Sequence, residues 1–228
     1  MSTRRVTPPE IAATLIIVGL LLALFWPGFQ KPSHHRRDWV TCLSSLKQIG
    51  LALHQYPEDN DDRPPLVADA PAGRITWRAA IEPYTKNASL VHCPARSEGA
   101  VGADGLASDY AASASPNGAF APAGAKPRAL TSLFAPAKMI VIVEATGTNR
   151  AGFDIDGTAD LNHLWAGHWG RSNYVLADGH VKYLHPLDTY RVDASARVIQ
   201  NEWYRDGKKP LSANGQELLR QAQAEFSR

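Results

Sequence analysis

The spacing of apolar residues changes along this chain, and each change predicts an element. Between Ile11 and Trp26 there is no charge and no strongly polar side chain except Thr14, and apolar residues fall on every face of a helix. A soluble amphipathic helix would show a stripe instead. The stretch Glu10–Phe29 (EIAATLIIVGLLLALFWPGF) rises about 30 Å as a helix, the thickness of a bilayer's hydrocarbon core. A helix satisfies its own backbone in lipid. We therefore expect a short N-terminal segment over 1–9 and a transmembrane helix over 10–29, with Trp26 and Phe29 at the membrane interface. A cleaved signal would have a shorter apolar core and a small-x-small cleavage site, which Phe25, Trp26 and Pro27 do not offer.

Pro27, Gly28 and Pro32 interrupt the helix, and 30–37 reads as an interfacial linker. His34 and His35, beside Arg36 and Arg37, suit a solvated patch facing headgroups better than a metal. From Asp38, a candidate cap, Val40, Leu43, Leu46, Ile49 or Gly50, and Leu53 recur at helical spacing to about Gln55. Lys47 and Gln48 fall on the other side, so this helix should lay one stripe on a sheet. The acidic, proline-ended segment Tyr56–Pro65 reads as a solvated loop. Trp77–Tyr84 reads as a short helix, Leu90–Pro94 as a brief extended piece, and Ala95–Arg128 as loop rather than core, with Asp109-Tyr110-Ala111 a short strand inside it.

Met139–Val143 (MIVIV) has the continuous apolar run of a central buried strand, followed by an irregular Glu144–Ala166. Asp154, Asp156 and Asp160 there are of the kind that hold Ca²⁺ with backbone oxygens, but without further ligands a turn-forming Asp-Gly loop is the better reading. Tyr174–Ala177 and His180–Leu184 flank Asp178-Gly179, which predicts a hairpin with a type I′ turn and one wetter face. Gly215–Phe226 ends the chain as a short amphipathic helix carrying Leu218, Leu219, Ala222 and Phe226. The fold class is α+β: a hydrophobic membrane helix, then a globular domain over 38–228 in which a helix packs on an antiparallel sheet with long loops.

Composition narrows the function classes. The net charge is +2 with mixed signs, so no basic field argues for nucleic acid. Cys42 and Cys93 are the only cysteines. In an exported domain they form one disulfide and in the cytosol they stay buried thiols, and spacing leaves both open. No Gly-rich phosphate loop, G-x-S-x-G elbow or H-E-x-x-H pair is present. Arg4 and Arg5 before the apolar stretch nearly balance Lys31, Arg36 and Arg37 after it, so charge alone fixes no orientation.

Two distant patches share a resemblance. His168–Leu184 (HWGRSNYVLADGHVKYL) resembles the signature of the pilin-like family named for its H-x9-DG motif, a type II secretion pseudopilin-like group whose domain has no assigned function. Here the motif is His168 through Asp178-Gly179, with Asn173 and His180-Val181-Lys182 also fitting. Cys42–Tyr56 (CLSSLKQIGLALHQY) is similar to the family's C-x-x-N-L-K-Q-I-G-L-A-L-H-x-Y segment, with Ser45 in place of Asn and with Leu46, Lys47, Gln48 and Tyr56 retained. Asp59-Asn60, Arg63-Pro64-Pro65 and Cys93-Pro94 follow in order. The resemblance implies a single-pass protein of the bacterial inner (cytoplasmic) membrane with its C-terminal domain outside the cytoplasm, and like pilin-type subunits or secretion machinery as partners.

The resemblance also implies an assembly role for Glu10. Counted back from it, Val6 would begin the mature chain, and Glu10 would neutralise a neighbouring subunit's terminal amine, since an unpaired charge in apolar surroundings is costly. Arg5, however, stands where a prepilin peptidase needs glycine. The leading expectation is a membrane-anchored structural protein in an envelope filament or secretion-like machine, without catalysis or cofactor. An unprocessed, stand-alone anchored binding domain is the alternative. An enzyme using His168, Asp178 and His180 ranks last, because the hairpin turn already accounts for Asp178 and a loop-fixing hydrogen bond for His168.

Overall fold

The computed structural model describes residues 8–25, 34–67, 76–96, 100–101, 107–114, 120, 129, 132–133, 135–146, 152–155 and 163–226. They fall into two units, 1–37 and 38–228.

In the first unit, α1 (Pro8–Phe25) opens with two prolines and Glu10 in its first turn. Proline is tolerated there because those backbone N–H groups have no intrahelical acceptor. Thr14 returns its hydroxyl to the Glu10 carbonyl at 2.8 Å, so even the polar side chain in the run is spent on backbone. Ile11, Leu15, Ile16, Leu20 and Leu24 are all exposed, on every side of the helix. Among the described residues no helix is long and apolar enough to cross a membrane. The 18 residues of α1 rise about 27 Å, against roughly 30 Å of hydrocarbon. The rest of the expected span, 26–29, lies outside the described residues.

In the second unit the organising helix is α2 (His34–Glu58), which starts four residues before the expected cap at Asp38 and takes in part of the segment read as linker. Cys42, Leu46, Ile49 and Leu53 form its buried row. Val40 was expected on that row but is 49% exposed. At 100° per residue it lies nearly opposite Cys42. The short α3 (Trp77–Thr85) buries Trp77, Arg78 and Ile81 and ends at Lys86 in the left-handed conformation. Of Leu90–Pro94, expected to be extended, Leu90 and Val91 instead end a 3₁₀ turn over Ala88–Val91, capped by Asn87, whose side chain accepts the Ser89 N–H, while His92 is extended.

The strands follow as β1 (Ala100–Val101), β2 (Ala107–Ser108), β3 (Tyr110–Ser113), β4 (Ile140–Thr146), β5 (Gly152–Phe153), β6 (His163–Leu164), β7 (Ser172–Leu176), β8 (Val181–Leu184), β9 (Tyr190–Val192) and β10 (Val198–Asn201), before α4 (Ala213–Phe226). The main sheet has six strands in the order β5-β3-β4-β7-β8, with β6 also on β4. All its pairs are antiparallel except β3 with β5. The protein is α+β, with β4 central as its apolar run predicts.

Three further expectations, all in the sheet, are revised. The strand β4 does not stop at Val143 but continues through Glu144 to Thr146. A strand does form at the expected Asp109-Tyr110-Ala111, as Tyr110–Ser113, but Tyr110, Ala111 and Ala112, in the stretch read as loop rather than core, are fully buried on it, and Phe120 is buried as well. Small side chains give no hydrophobic run, so pairing with β4 rather than local pattern defines that strand. The expected wetter face of the hairpin is also missing, every residue of β8 being half-buried. On one face Leu46, Ile49, Trp77 and Ile81 pack with Tyr110, Ile142 and Val175. On the other, Leu219, Ala222 and Trp203 cover Ala111, Ile140, Val143, Tyr174 and Leu176.

Candidate functional site

The conspicuous site is polar and lies inside the fold, where β4, β7 and the loop before β7 converge. Its centre is Glu144, fully buried on β4. Asn173 donates its backbone N–H to Oε2 at 2.8 Å and its side-chain amide to Oε1 at 3.0 Å. Ser172 donates its hydroxyl to Oε2 at 3.2 Å, and His168 Nε2 lies 3.2 Å from Oε1. A carboxylate has about four acceptor positions, and all are used here. The network places the His168 proton on Nε2, donated to Glu144. The imidazole is further held by the edge of Trp165, 4.7 Å between ring centroids, and its backbone carbonyl accepts the Tyr183 hydroxyl at 2.5 Å.

Beside it the structure joins Cys42 of α2 to Cys93, with Cα atoms 5.1 Å apart. The Cys93 sulfur is 3.7 Å from His168 Nε2. The ligand-type atoms of Cys42, Cys93, Glu144 and His168 all lie within 4.8 Å of one another, and all four residues are buried. With both sulfurs spent in the disulfide no thiolate is left to bind a cation, and what remains is a hydrogen-bonded clamp. Asp109, also fully buried, fixes the Cys93 loop from the other side. It accepts the Cys93 N–H at 2.9 Å, and its carboxylate lies 3.2 Å from Arg96 and 2.6 Å from His92. Arg96 also donates to the Ala145 carbonyl at 2.6 Å, tying that loop to β4.

Buried carboxylates act on their neighbours. Burial first, then the charges of Glu144 and Asp109, pushes the Tyr110 phenol well above its ordinary value. Burial and Glu144 do the same to Tyr174. Both phenols therefore stay protonated where an exposed tyrosine would ionise.

The two motif patches meet in space. A Cβ on Gly50 of α2 would stand 2.9 Å from the Gly179 carbonyl oxygen, so the helix rides directly on the hairpin turn. That turn is not the type I′ expected. Gly179 has φ +83°, but Asp178 is not in the left-handed region. The Leu176 carbonyl accepts the Gly179 N–H at 2.9 Å and the Leu176 N–H donates to the His180 carbonyl at 2.8 Å. The two positive φ values of a type I′ turn occur instead at Trp169 (57°) and Gly170 (75°), inside reciprocal bonds between His168 and Arg171. Asp178 closes its turn by accepting the His180 N–H at 3.1 Å and pairs with the exposed His180 ring at 2.8 Å.

Among the other helix-motif residues, Leu46 is buried while Lys47 and Gln48 face solvent. Tyr56 stacks edge-on with Tyr84 at 6.1 Å, and its carbonyl accepts the Asn60 side chain at 2.8 Å. Tyr84 donates to Asp59 at 2.9 Å. A cleft of about 470 Å³ opens beside the Asp178 turn, lined by His54, Glu58, Asp62 and Ala177 among others. Glu10 lies in the first turn of α1. Of the calcium candidates, Asp154 is exposed, and Asp156 and Asp160 lie outside the described residues.

Glu144, Asp109 and Arg96 were missed by sequence reasoning. The available signal was a carboxylate directly following the MIVIV run, a charge that a continuing strand would have to bury. Searches against protein families, curated proteins and solved structures found no match to this chain.

Proposed function

We propose that this chain is a membrane-anchored, pilin-like structural protein, serving assembly of an envelope filament or a secretion-like machine. The observation that carries the reading is the division of labour between its two units. An N-terminal helix is apolar and exposed on every side. The globular unit spends its motif residues on holding itself together: His168 and Asn173 on Glu144, Gly179 on Gly50, Cys42 on Cys93. A buried carboxylate saturated by four donors suits a scaffold, because it has no lone pair left for a substrate. The reading places α1 in the bacterial inner membrane and the second unit outside the cytoplasm, where a disulfide persists.

A photocrosslinking residue at Leu15 of α1 tests it in native membranes. A ladder at multiples of the chain's mass is expected from helices packed like with like. Crosslinks to lipid alone would overturn the assembly role. A second reading, a stand-alone anchored binding domain, is favoured by Arg5 at the position where the peptidase needs glycine, and by the cleft beside the Asp178 turn. The mass of the N-terminal peptide separates the two. A peptide beginning at Val6 supports processing and assembly, and one still carrying Arg4-Arg5 supports the stand-alone domain.

A further inference from the structure

The turn at Trp169-Gly170 breaks a local rule. Its first central position takes φ 57°, a conformation suited to Asn, Asp or Gly, yet it carries the largest side chain available. The ring is not tucked away to compensate: Trp169 is 58% exposed. Trp77 and Trp203 of the same unit are fully buried and Trp165 nearly so. A strained backbone that holds a large apolar ring outward points to a use outside the fold.

Trp169 heads a cluster. Its ring centroid is 6.3 Å from that of Trp39, which in turn lies 4.9 Å from Tyr183. The Arg171 guanidinium sits 5.2 Å over the Tyr183 ring. An exposed Trp with an adjoining cation is the kind of side chain that settles among lipid headgroups, and here the half-buried Trp39 and Tyr183, whose hydroxyl is given to the His168 carbonyl, hold the Trp169 ring and Arg171 in place. The position in the chain agrees. The globular unit begins at Asp38, one residue before Trp39, and only 26–37 separate it in sequence from the apolar α1. Arg36 and Arg37 fall in that interval of the sequence.

We infer that Trp169, Trp39, Tyr183 and Arg171 form a lipid-docking face, which rests the globular unit on the headgroup zone of the bilayer that holds α1. The inference builds on the membrane-anchor reading above. It assigns Trp169 the part of an interfacial anchor and Arg171 that of a partner for lipid phosphate.

The test uses the full chain reconstituted in vesicles of phosphatidylcholine and phosphatidylglycerol, with phosphatidylcholine brominated near the top of its acyl chains as quencher. Trp26→Phe removes the tryptophan beside α1. This variant should float with the vesicles and still lose tryptophan emission when brominated lipid is added. Adding Trp169→Phe should abolish most of that quenching while leaving the melting temperature unchanged. A floating Trp26→Phe protein whose emission ignores brominated lipid would overturn the docking face and leave the anchor reading standing. Emission of Trp169 that responds to protein density rather than to brominated lipid would overturn it in favour of a contact between copies. Failure to float overturns both readings.

Discussion

The segment His168–Gly179 contains two turns that treat their local chemistry in opposite ways. At Asp178-Gly179 every local preference is met: glycine takes the positive φ, aspartate closes the turn on the His180 N–H, and Gly50 of α2, having no side chain, sits against the Gly179 carbonyl. At Trp169-Gly170 the first position violates preference and presents an aromatic ring to the outside. Between them, Ser172 and Asn173 feed donors into Glu144. One turn is fitted to the inside of the molecule, and the other, on the docking proposal, to its surroundings. A conflict with a local rule therefore marks where to look for function.

The comparison can be broken first at its shared anchor. Glu144→Ala would strand the donors of His168, Ser172 and Asn173 in the interior. We expect a loss of about 3–5 kcal/mol in urea melts of the full chain in mild detergent. Retention of most of the stability would mean that the network is incidental. The disulfide comes next. It closes a separation of 51 residues, for which chain entropy predicts about 4 kcal/mol, with measured values more often roughly 2–4. Cys42→Ser with Cys93→Ser should show that loss, and intact mass with and without reductant checks that the bond forms in the purified full chain.

A pH scan probes the same interior. The Tyr110 and Tyr174 phenols are raised by burial first and then by Glu144. With folded values raised, stability is fully present below the unfolded value near 10 and is lost as pH climbs beyond it. In that range the unfolded chain releases two phenolic protons that the folded chain keeps, so stability should fall by about 2.7 kcal/mol per pH unit. The double Phe variant should flatten that alkaline limb. At the well-fitted turn, Gly50→Ala forces a methyl against the Gly179 carbonyl oxygen and should cost about 1–3 kcal/mol by thermal melting. The smallest effect has the opposite sign. Trp169→Asn relieves a left-handed tryptophan and should leave stability equal or raise it by about 1 kcal/mol in detergent. A clear loss would show that the ring serves packing.

Some of this molecule was legible one residue at a time. The uniform apolarity of α1, the central strand at Met139–Val143, the C-terminal helix and the Asp178-Gly179 hairpin each depend on near neighbours, so their signals lie in short windows. The buried row of α2 was half legible. Period 3.6 was plain, but which face would be covered depended on where Cys42 met Cys93 and where Gly50 met Gly179.

What the tertiary structure alone decided is the interior. Glu144 read as the start of an irregular loop, because no local rule makes a carboxylate part of a buried strand. It becomes one only when donors from residues 24 to 29 positions later arrive together. Likewise the short strand expected at Asp109-Tyr110-Ala111 becomes the buried β3, Tyr110–Ser113, only because β4 offers it a ladder. The sequence by itself therefore determined the elements whose stability is local, together with the apolar character of α1. Long-range hydrogen bonding, which exists only once the chain has closed on itself, decided which charges are buried, which face of α2 is covered and which turn carries the exposed ring.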